Sequence, residues 1–167
     1  MTHPYNAAYL QEVSDTQGAL FERLQDSAPE TDGLEFIRSY MKSDTRRFLD
    51  GGDAYLSTLG PKRLMDYYQA EDAYESRPGT PLRGFMPNWI GQFYAYYQWQ
   101  TGESSRDIVE RIPPEWLVSA YSGLHDLDMR LAVEKVAGQV GHGEDATALS
   151  FVAEDGPEYG KQIKPAP

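Results

Sequence analysis

Apolar residues recur every three or four positions along most of the chain, which is the pattern of helices that bury one face. The clearest early case runs from Gly33 to Leu49. The sequence Asp-Gly-Gly-Asp follows it, and glycine there permits a left-handed exit from the helix. A second case spans Tyr9 to Leu24, although Gly18 lowers its helix propensity. We therefore predict a helix in each segment.

Prolines, glycines and capping residues set the predicted boundaries in the rest of the chain. Proline suits the first turn of a helix, and a residue before proline avoids the helical region. Ser104, with Asp107 three residues later, is typical of a capped helix start. The predicted elements are a helix opening at Gly60-Pro61, a loop from Ala73 to Arg83, a helix after Ser104 that ends at Pro113-Pro114, a short helix from Glu115 and a last helix from Leu124 to Ala137.

The most apolar helix is predicted between Pro87 and Gln100. Seven of the 15 residues from Phe85 to Trp99 are aromatic, and helical geometry distributes them over every side. A helix that is apolar all round is normally buried on several sides. The segment contains no Lys or Arg, which disfavours a base-stacking platform in a positive groove. We therefore expect this helix to form the centre of the core.

No segment alternates polar and apolar residues over a full strand length, and the short run from Thr147 to Val152 is the best strand candidate. The sequence predicts an all-α protein, with a single compact domain of five to seven helices at residues 33–138 built around the buried aromatic helix. Residues 1–32 are expected to form an acidic N-terminal helix or arm. Residues 139–167 are expected to form a mostly irregular tail.

Composition excludes several classes of protein. The 167 residues include no cysteine, which removes disulfide scaffolds, thiolate metal sites and cysteine nucleophiles. The net charge of −11 is a poor match to phosphate backbones. No apolar run approaches a membrane span, and the start lacks the pattern of a secretory signal, so we expect a cytoplasmic protein. No glycine-rich phosphate loop or nucleophile elbow is present, and we expect no cofactor.

His125, Asp126 and Asp128 form the one cluster that suggests acid–base or metal chemistry. A His-Asp pair on a helix resembles the motif of metal-dependent phosphohydrolases, which need further ligands from other helices. The simpler interpretation is that Asp126 or His125 caps the following helix, with Asp128 near its positive N-terminus. A metal-dependent phosphohydrolase is therefore an alternative function.

Arg38, Lys42 and Arg46 are spaced four residues apart, which places them on one stripe of the predicted helix. Such a stripe can contact phosphate or RNA. In so acidic a chain, we favour a solvated face that pairs with the acidic segment before residue 35. A DNA-binding regulator is a further alternative, because residues 101–112 resemble the first half of a helix-turn-helix, but no base-reading helix follows.

The C-terminal segment combines acidic residues with apolar ones and ends in Lys-Pro-Ala-Pro. Segments of this composition often become ordered against a partner. The candidate partner-binding residues in it are Phe151, Tyr159 and Ile163. A terminal segment without a role is the alternative.

Two motifs carry a resemblance to a known family. They are the run from Pro87 to Trp99, with Thr101-Gly102 and Ser104-Ser105 after it, and the run from Tyr121 to Asp128, which is followed by Ala132 to Val136. Over about residues 35–137, the chain resembles small, uncharacterised bacterial proteins encoded near toxin–antitoxin genes, some beside ADP-ribosyltransferase-like toxins. We therefore expect a non-enzymatic interaction module, an antitoxin or accessory component of a toxin–antitoxin or defence system. The acidity of the chain favours a basic protein partner, such as a toxin, bound through the acidic surface and the C-terminal segment, and a homo-oligomer is an alternative.

Overall fold

Helix-breaking and capping residues divide the chain into short helices that enclose one long one. The computed structural model describes residues 2–140 and forms nine α-helices and two 3-10 turns within that range. The only strand-like pairing in the same range is an isolated bridge between Thr31 and Pro78. The helices are α1 (Leu10–Glu22), α2 (Leu24–Ser27), α3 (Gly33–Met41), α4 (Asp44–Asp50), α5 (Pro61–Glu71), α6 (Met86–Thr101), α7 (Ser105–Arg111), α8 (Pro114–Leu124) and α9 (Met129–Val140). The predicted all-α fold is confirmed.

Local chemistry fixes several boundaries where the sequence predicts them. Pro61 opens α5, and the left-handed Gly102 (φ 71°) closes α6. The hydroxyl of Ser104 accepts a hydrogen bond from the Asp107 amide at 3.1 Å, which caps α7. Residues 73–83 form no helix, in agreement with the predicted loop.

Two predicted helices differ from the structure. The helix expected from Gly33 to Leu49 is two helices, because Ser43 adopts an extended backbone and its hydroxyl caps α4 through the Arg46 amide. The segment expected to be helical from Leu124 to Ala137 is also broken. Leu124 ends α8, and α9 begins at Met129 and continues to Val140.

The long aromatic helix α6 forms the centre of the core, as predicted. Trp89, Phe93, Tyr94 and Tyr97 are each no more than 3 % exposed. Helices α1, α7, α8 and α9 all pack against α6, so its apolar side chains meet a neighbour in several directions. Trp89 also contacts Tyr121 of α8 edge to face, with 5.4 Å between ring centroids.

The N-terminal helix belongs to this core and is not a separate arm. In α1, Leu20 and Phe21 are fully buried among the other core residues. The helix lies so close to α6 that a β-carbon on Gly91 would be 2.6 Å from the Gln17 carbonyl oxygen. The predicted helix is confirmed, and the separation of residues 1–32 from the domain is corrected.

None of the helices in the described range is both long and apolar enough to cross a membrane.

Candidate functional site

The histidine cluster lies in the connection between α8 and α9 and faces solvent. The His125 ring stacks on Tyr121, and its Nδ1 lies 2.8 Å from the Tyr121 carbonyl oxygen. Its Nε2 lies 3.2 Å from an Asp126 oxygen, and the Asp126 side chain is 89 % exposed. Among residues 2–140, no group of three or more His, Cys, Asp or Glu side chains is placed to hold a metal ion. This arrangement gives the phosphohydrolase alternative no support in the described part of the chain.

Asp128 has a structural role at the start of α9. Its carboxylate accepts a hydrogen bond from the Arg130 amide at 3.0 Å, and its carbonyl accepts one from Ala132. These bonds satisfy donors that the first turn of a helix leaves unpaired. The capping residue is therefore Asp128 rather than the expected His125 or Asp126.

The predicted positive stripe is not continuous. Arg38 pairs with Glu115 of α8, and Lys42 pairs with Glu110 of α7. The hydrogen bond and the charge of Lys42 lower the pKa of the Glu110 carboxyl. Arg46 lies on the next helix and is completely buried. The prediction of one exposed stripe is wrong for Arg46, and the partners of the other two cations are not in the segment before residue 35.

Arg46 instead forms a buried polar centre between α4 and α7. Its Nε donates to the Ser105 hydroxyl at 2.8 Å and lies 3.3 Å from an Asp50 oxygen. The Asp50 carboxylate also accepts from the Ser105 amide at 2.7 Å and from its hydroxyl at 2.6 Å. A charge can remain buried when it is paired and hydrogen-bonded in this way.

An apolar groove lies between the start of α1 and the connection from α4 to α5. Its volume is about 390 Å³. It is lined by Tyr5, Tyr9, Glu12, Val13, Gly52, Ala54, Ser57 and Thr58. Tyr9, which lines the groove, and Tyr55, which lies in the connection from α4 to α5, are each 59 % exposed. Large aromatic side chains that remain this accessible are typical of interaction surfaces.

Carboxylates lie around Tyr67, a half-buried tyrosine of α5 that packs against the core. Partial desolvation, followed by the charges of Glu71, Asp53 and Asp72, raises the pKa of the Tyr67 hydroxyl. Tyr55 contributes to the same environment. We define the tyrosine surface as Tyr9, Tyr55 and Tyr67 together with the acidic residues Glu12, Asp53 and Glu71.

A second, polar groove of about 600 Å³ lies between α3, the end of α5 and residues 73–77. Its main polar groups already bind one another. The Tyr74 hydroxyl donates to one oxygen of Glu35 at 3.0 Å, and the Ser39 hydroxyl donates to the other at 2.6 Å. Asp72 accepts from the Asp44 and Thr45 amides at the start of α4. These hydrogen bonds give the polar side chains of this groove a structural role, because their partners are other residues of the fold.

Comparison of the chain with known protein families, with curated proteins and with solved structures finds no match. The resemblance to proteins encoded near toxin–antitoxin genes therefore stays a prediction. Phe151, Tyr159 and Ile163 lie outside the described residues, as does the strand candidate from Thr147 to Val152.

The tyrosine surface was not among the sites that the sequence predicts. Tyr55 sits in a short Gly-rich connection between two helices, where an aromatic side chain has no periodic face to join. That position is the one signal in the sequence that could have indicated it. Tyr9 and Tyr67 fit ordinary helical patterns, so their nearness to the connection that carries Tyr55 depends on how the helices pack.

Proposed function

We propose that this chain is a non-enzymatic, cytoplasmic protein-interaction module that binds a basic protein partner. In this proposal it acts as an antitoxin or accessory component of a bacterial toxin–antitoxin or defence system. The observation that carries the proposal is the tyrosine surface, where the exposed rings of Tyr9 and Tyr55 accompany an apolar groove whose lining includes the carboxylate of Glu12.

Aromatic rings and carboxylates on one surface favour a ligand with Lys or Arg side chains. A cation over the face of a tyrosine gains about 0.5–1 kcal/mol at an exposed site. The exposed carboxylate of Glu71 adds hydrogen bonds to the same cation, and Asp53, which also accepts from the Leu56 amide, adds negative charge. The groove between Tyr9 and Ala54 can accept an apolar side chain next to those charges. A partner segment that combines basic and apolar residues fits all three features.

The charge of the whole chain supports the same class of partner. Residues 2–140 contain 21 acidic and 13 basic side chains. Seven of those basic side chains, including Arg38 and Arg111, are held in ion pairs with carboxylates of the chain itself. The charge that remains after this pairing is therefore negative. A negative electrostatic field accelerates encounter with a positively charged partner and repels nucleic acid.

The C-terminal segment is a second element of the proposal. Phe151, Tyr159 and Ile163 supply the apolar anchors that a segment needs to bind across a partner. If they contribute, removal of residues 141–167 weakens binding to the partner while the helical domain keeps its melting temperature. Unchanged affinity in the shortened protein would remove the segment from the proposal.

The test is co-purification of the chain with the product of its neighbouring gene, followed by calorimetric measurement of Kd. We expect Tyr55→Ala to weaken binding about tenfold or more, because an aromatic anchor contributes roughly 1–2 kcal/mol or more. Phe85→Ala is the matched control, since Phe85 is 55 % exposed but lies near Gln25, beyond the opposite end of α1.

Charge reversal gives an independent measurement on the same complex. Glu71→Lys should weaken binding and reduce its salt dependence, because it removes an attractive carboxylate from the tyrosine surface. Glu30→Lys changes the net charge equally in the connection between α2 and α3, away from the tyrosine surface, and should have a much smaller effect. Equal effects of the two reversals, or of the two aromatic variants, would contradict the assignment of the surface.

A further inference from the structure

The groove beside the tyrosine surface contains one charged side chain, and that side chain has no partner in the fold. Of the residues that line the groove, only Glu12 carries a charge at neutral pH. The Glu12 carboxylate forms no hydrogen bond or ion pair with the residues that the structure describes. An apolar groove with one unpaired carboxylate is complementary to a ligand that combines an apolar body with one positive charge.

Two hydroxyls on the opposite side of the groove are already used within the fold. The Ser57 hydroxyl donates to the Asp53 carbonyl at 2.6 Å, and the Thr58 hydroxyl donates to the Tyr55 carbonyl at 2.7 Å. The other two lining residues on this side are a glycine and an alanine, which leave space for a side chain of a partner. The volume of about 390 Å³ suits one or two side chains rather than a whole helix.

The N-terminal segment builds the tyrosine side of this groove and is attached to the rest of the fold at two places. At the end of α6, the His3 ring stacks on Trp99 with 3.7 Å between ring centroids, and the Trp99 Nε1 donates to the Tyr5 carbonyl at 2.9 Å. Between those residues, the Pro4 carbonyl lies so close to Gly52 that no β-carbon fits there. A wall that is held in place before binding lowers the entropy cost of receiving a ligand.

We propose that the groove receives the side chain of one Lys or Arg residue of the partner, with its aliphatic stem in the groove and its cation at Glu12. This inference rests on the proposed function, because it names the part of the basic partner that the groove binds. Lys and Arg are the side chains that combine a long apolar stem with a charged end. An exposed ring such as that of Tyr9 attracts the same cation.

Glu12 also lies in the first turn of α1, where a carboxylate interacts favourably with the positive end of the helix. That interaction affects the stability of the chain, but it does not distinguish one ligand from another. The test of the groove is therefore the selectivity of binding, measured together with the Tm.

Three short peptides test the proposal on the full chain without the partner protein. They are acetyl-Gly-X-Gly-amides in which X is lysine, arginine or norleucine, and norleucine has a four-carbon stem without a charge. In NMR titrations we expect a Kd of about 1 mM for the lysine and arginine peptides. Binding of the norleucine peptide should be about fivefold weaker or less, because it lacks the ion pair and the cation. The amide signals of Tyr9, Glu12 and Ala54 should shift.

Glu12→Gln should weaken binding of the lysine peptide to the level of the norleucine peptide and leave the norleucine peptide unchanged. Glu30→Gln is the matched control, because Glu30 is also exposed and its side chain has no partner among the described residues. Trp99→Phe removes the donor that holds the Tyr5 carbonyl, so it should weaken all three peptides alike. That equal loss is the pattern of a structural defect in the wall of the groove.

Selective binding of the cationic peptides that depends on Glu12 supports the proposal. Equal affinity for the norleucine peptide overturns it, as does an absence of shifts up to about 10 mM peptide or an equal loss for all three peptides in Glu12→Gln. Failure of the proposed function gives a different result. In that case the lysine peptide still binds at Glu12, but the product of the neighbouring gene does not bind. If that product binds wild type and Glu12→Gln equally and still depends on Tyr55, the proposed function stands and the cation site at Glu12 is wrong.

Discussion

At the scale of single residues, a pair of glycines sets the distance between the two helices that pack most closely. A β-carbon on Gly18 would lie 2.8 Å from the Asn88 carbonyl oxygen, and one on Gly91 would lie 2.8 Å from the Gly18 α-carbon. The approach also lets Gln17 donate to the Gly91 carbonyl. Both positions require glycine, despite its low helix propensity, because no side chain fits between the two backbones.

Gly91→Ala should therefore destabilise the protein by about 2–4 kcal/mol, since the added methyl group meets backbone atoms that cannot rotate away. Urea unfolding monitored by circular dichroism measures the change. Gly138→Ala is the matched control in an exposed helical position, where no atom lies within 4 Å of the added carbon. It should stabilise the protein by about 0.5–1 kcal/mol. A similar loss of stability in both variants would contradict the prediction, because the close contact exists at Gly91 and not at Gly138.

At the scale of elements, short helices are held by carboxylates from elsewhere in the chain. Asp72, which follows α5, accepts from the Asp44 amide at 2.8 Å and the Thr45 amide at 3.2 Å, and from the Thr45 hydroxyl. Asp50, at the end of α4, accepts from the Ser105 amide at the start of α7. A seven-residue helix is marginal by itself, so these long-range caps fix both its formation and its position.

Removal of the Asp72 carboxylate should loosen α4. We expect Asp72→Ala to lower the free energy of unfolding by about 1–2 kcal/mol, because two amides in the first turn of α4 lose their acceptor. Glu71→Ala removes a neighbouring exposed carboxylate and should change stability by less than about 0.5 kcal/mol. Hydrogen exchange localises the effect. Faster exchange of the Asp44 and Thr45 amides is expected in the first variant, and the same rates in both variants would refute the capping role.

At the scale of the whole molecule, the core is built from tyrosines whose hydroxyls are kept neutral. Burial is the largest cause that raises the pKa of Tyr40, Tyr68 and Tyr94. The Tyr94 hydroxyl donates to the Ile112 carbonyl at 2.6 Å, a bond that requires the proton. Burial in such an interior disfavours the charged form of a tyrosine relative to water, so ionisation costs more free energy there. The folded state therefore binds these protons more tightly than the unfolded state does.

This difference predicts unfolding in alkali. Below pH 10 the tyrosines are protonated in both states, and their contribution to stability is complete. Above pH 10 the unfolded chain ionises first, so stability falls as the pH rises towards the higher folded-state values. Each such tyrosine contributes a slope of about 1.4 kcal/mol per pH unit. Tyr40→Phe should reduce the slope between pH 10 and 12 by one proton, as measured by urea unfolding at each pH, and an unchanged slope would contradict the role of Tyr40.

The helix boundaries that are set by residues close by in the sequence were predicted well. Pro61, Gly102 and Ser104 act on helices that begin or end within a few residues of them, so their effect is readable in the sequence. The break at Ser43 was missed because the apolar spacing continues across it. The capped turn is stabilised by Asp72, which is 28 residues away from Asp44 in the chain.

The sequence alone determined the class of fold, the central place of the aromatic helix and the negative net charge, because each follows from residue type and spacing. Only the tertiary structure decided which individual polar residues are buried and which partners they bind. Arg46 was predicted at the surface, and it is buried because Ser105, 59 residues later, and Asp50 meet it between two helices. Periodicity identifies which face of a helix is apolar, but it does not specify which helix covers that face. The residues that share a groove or a cavity therefore depend on packing.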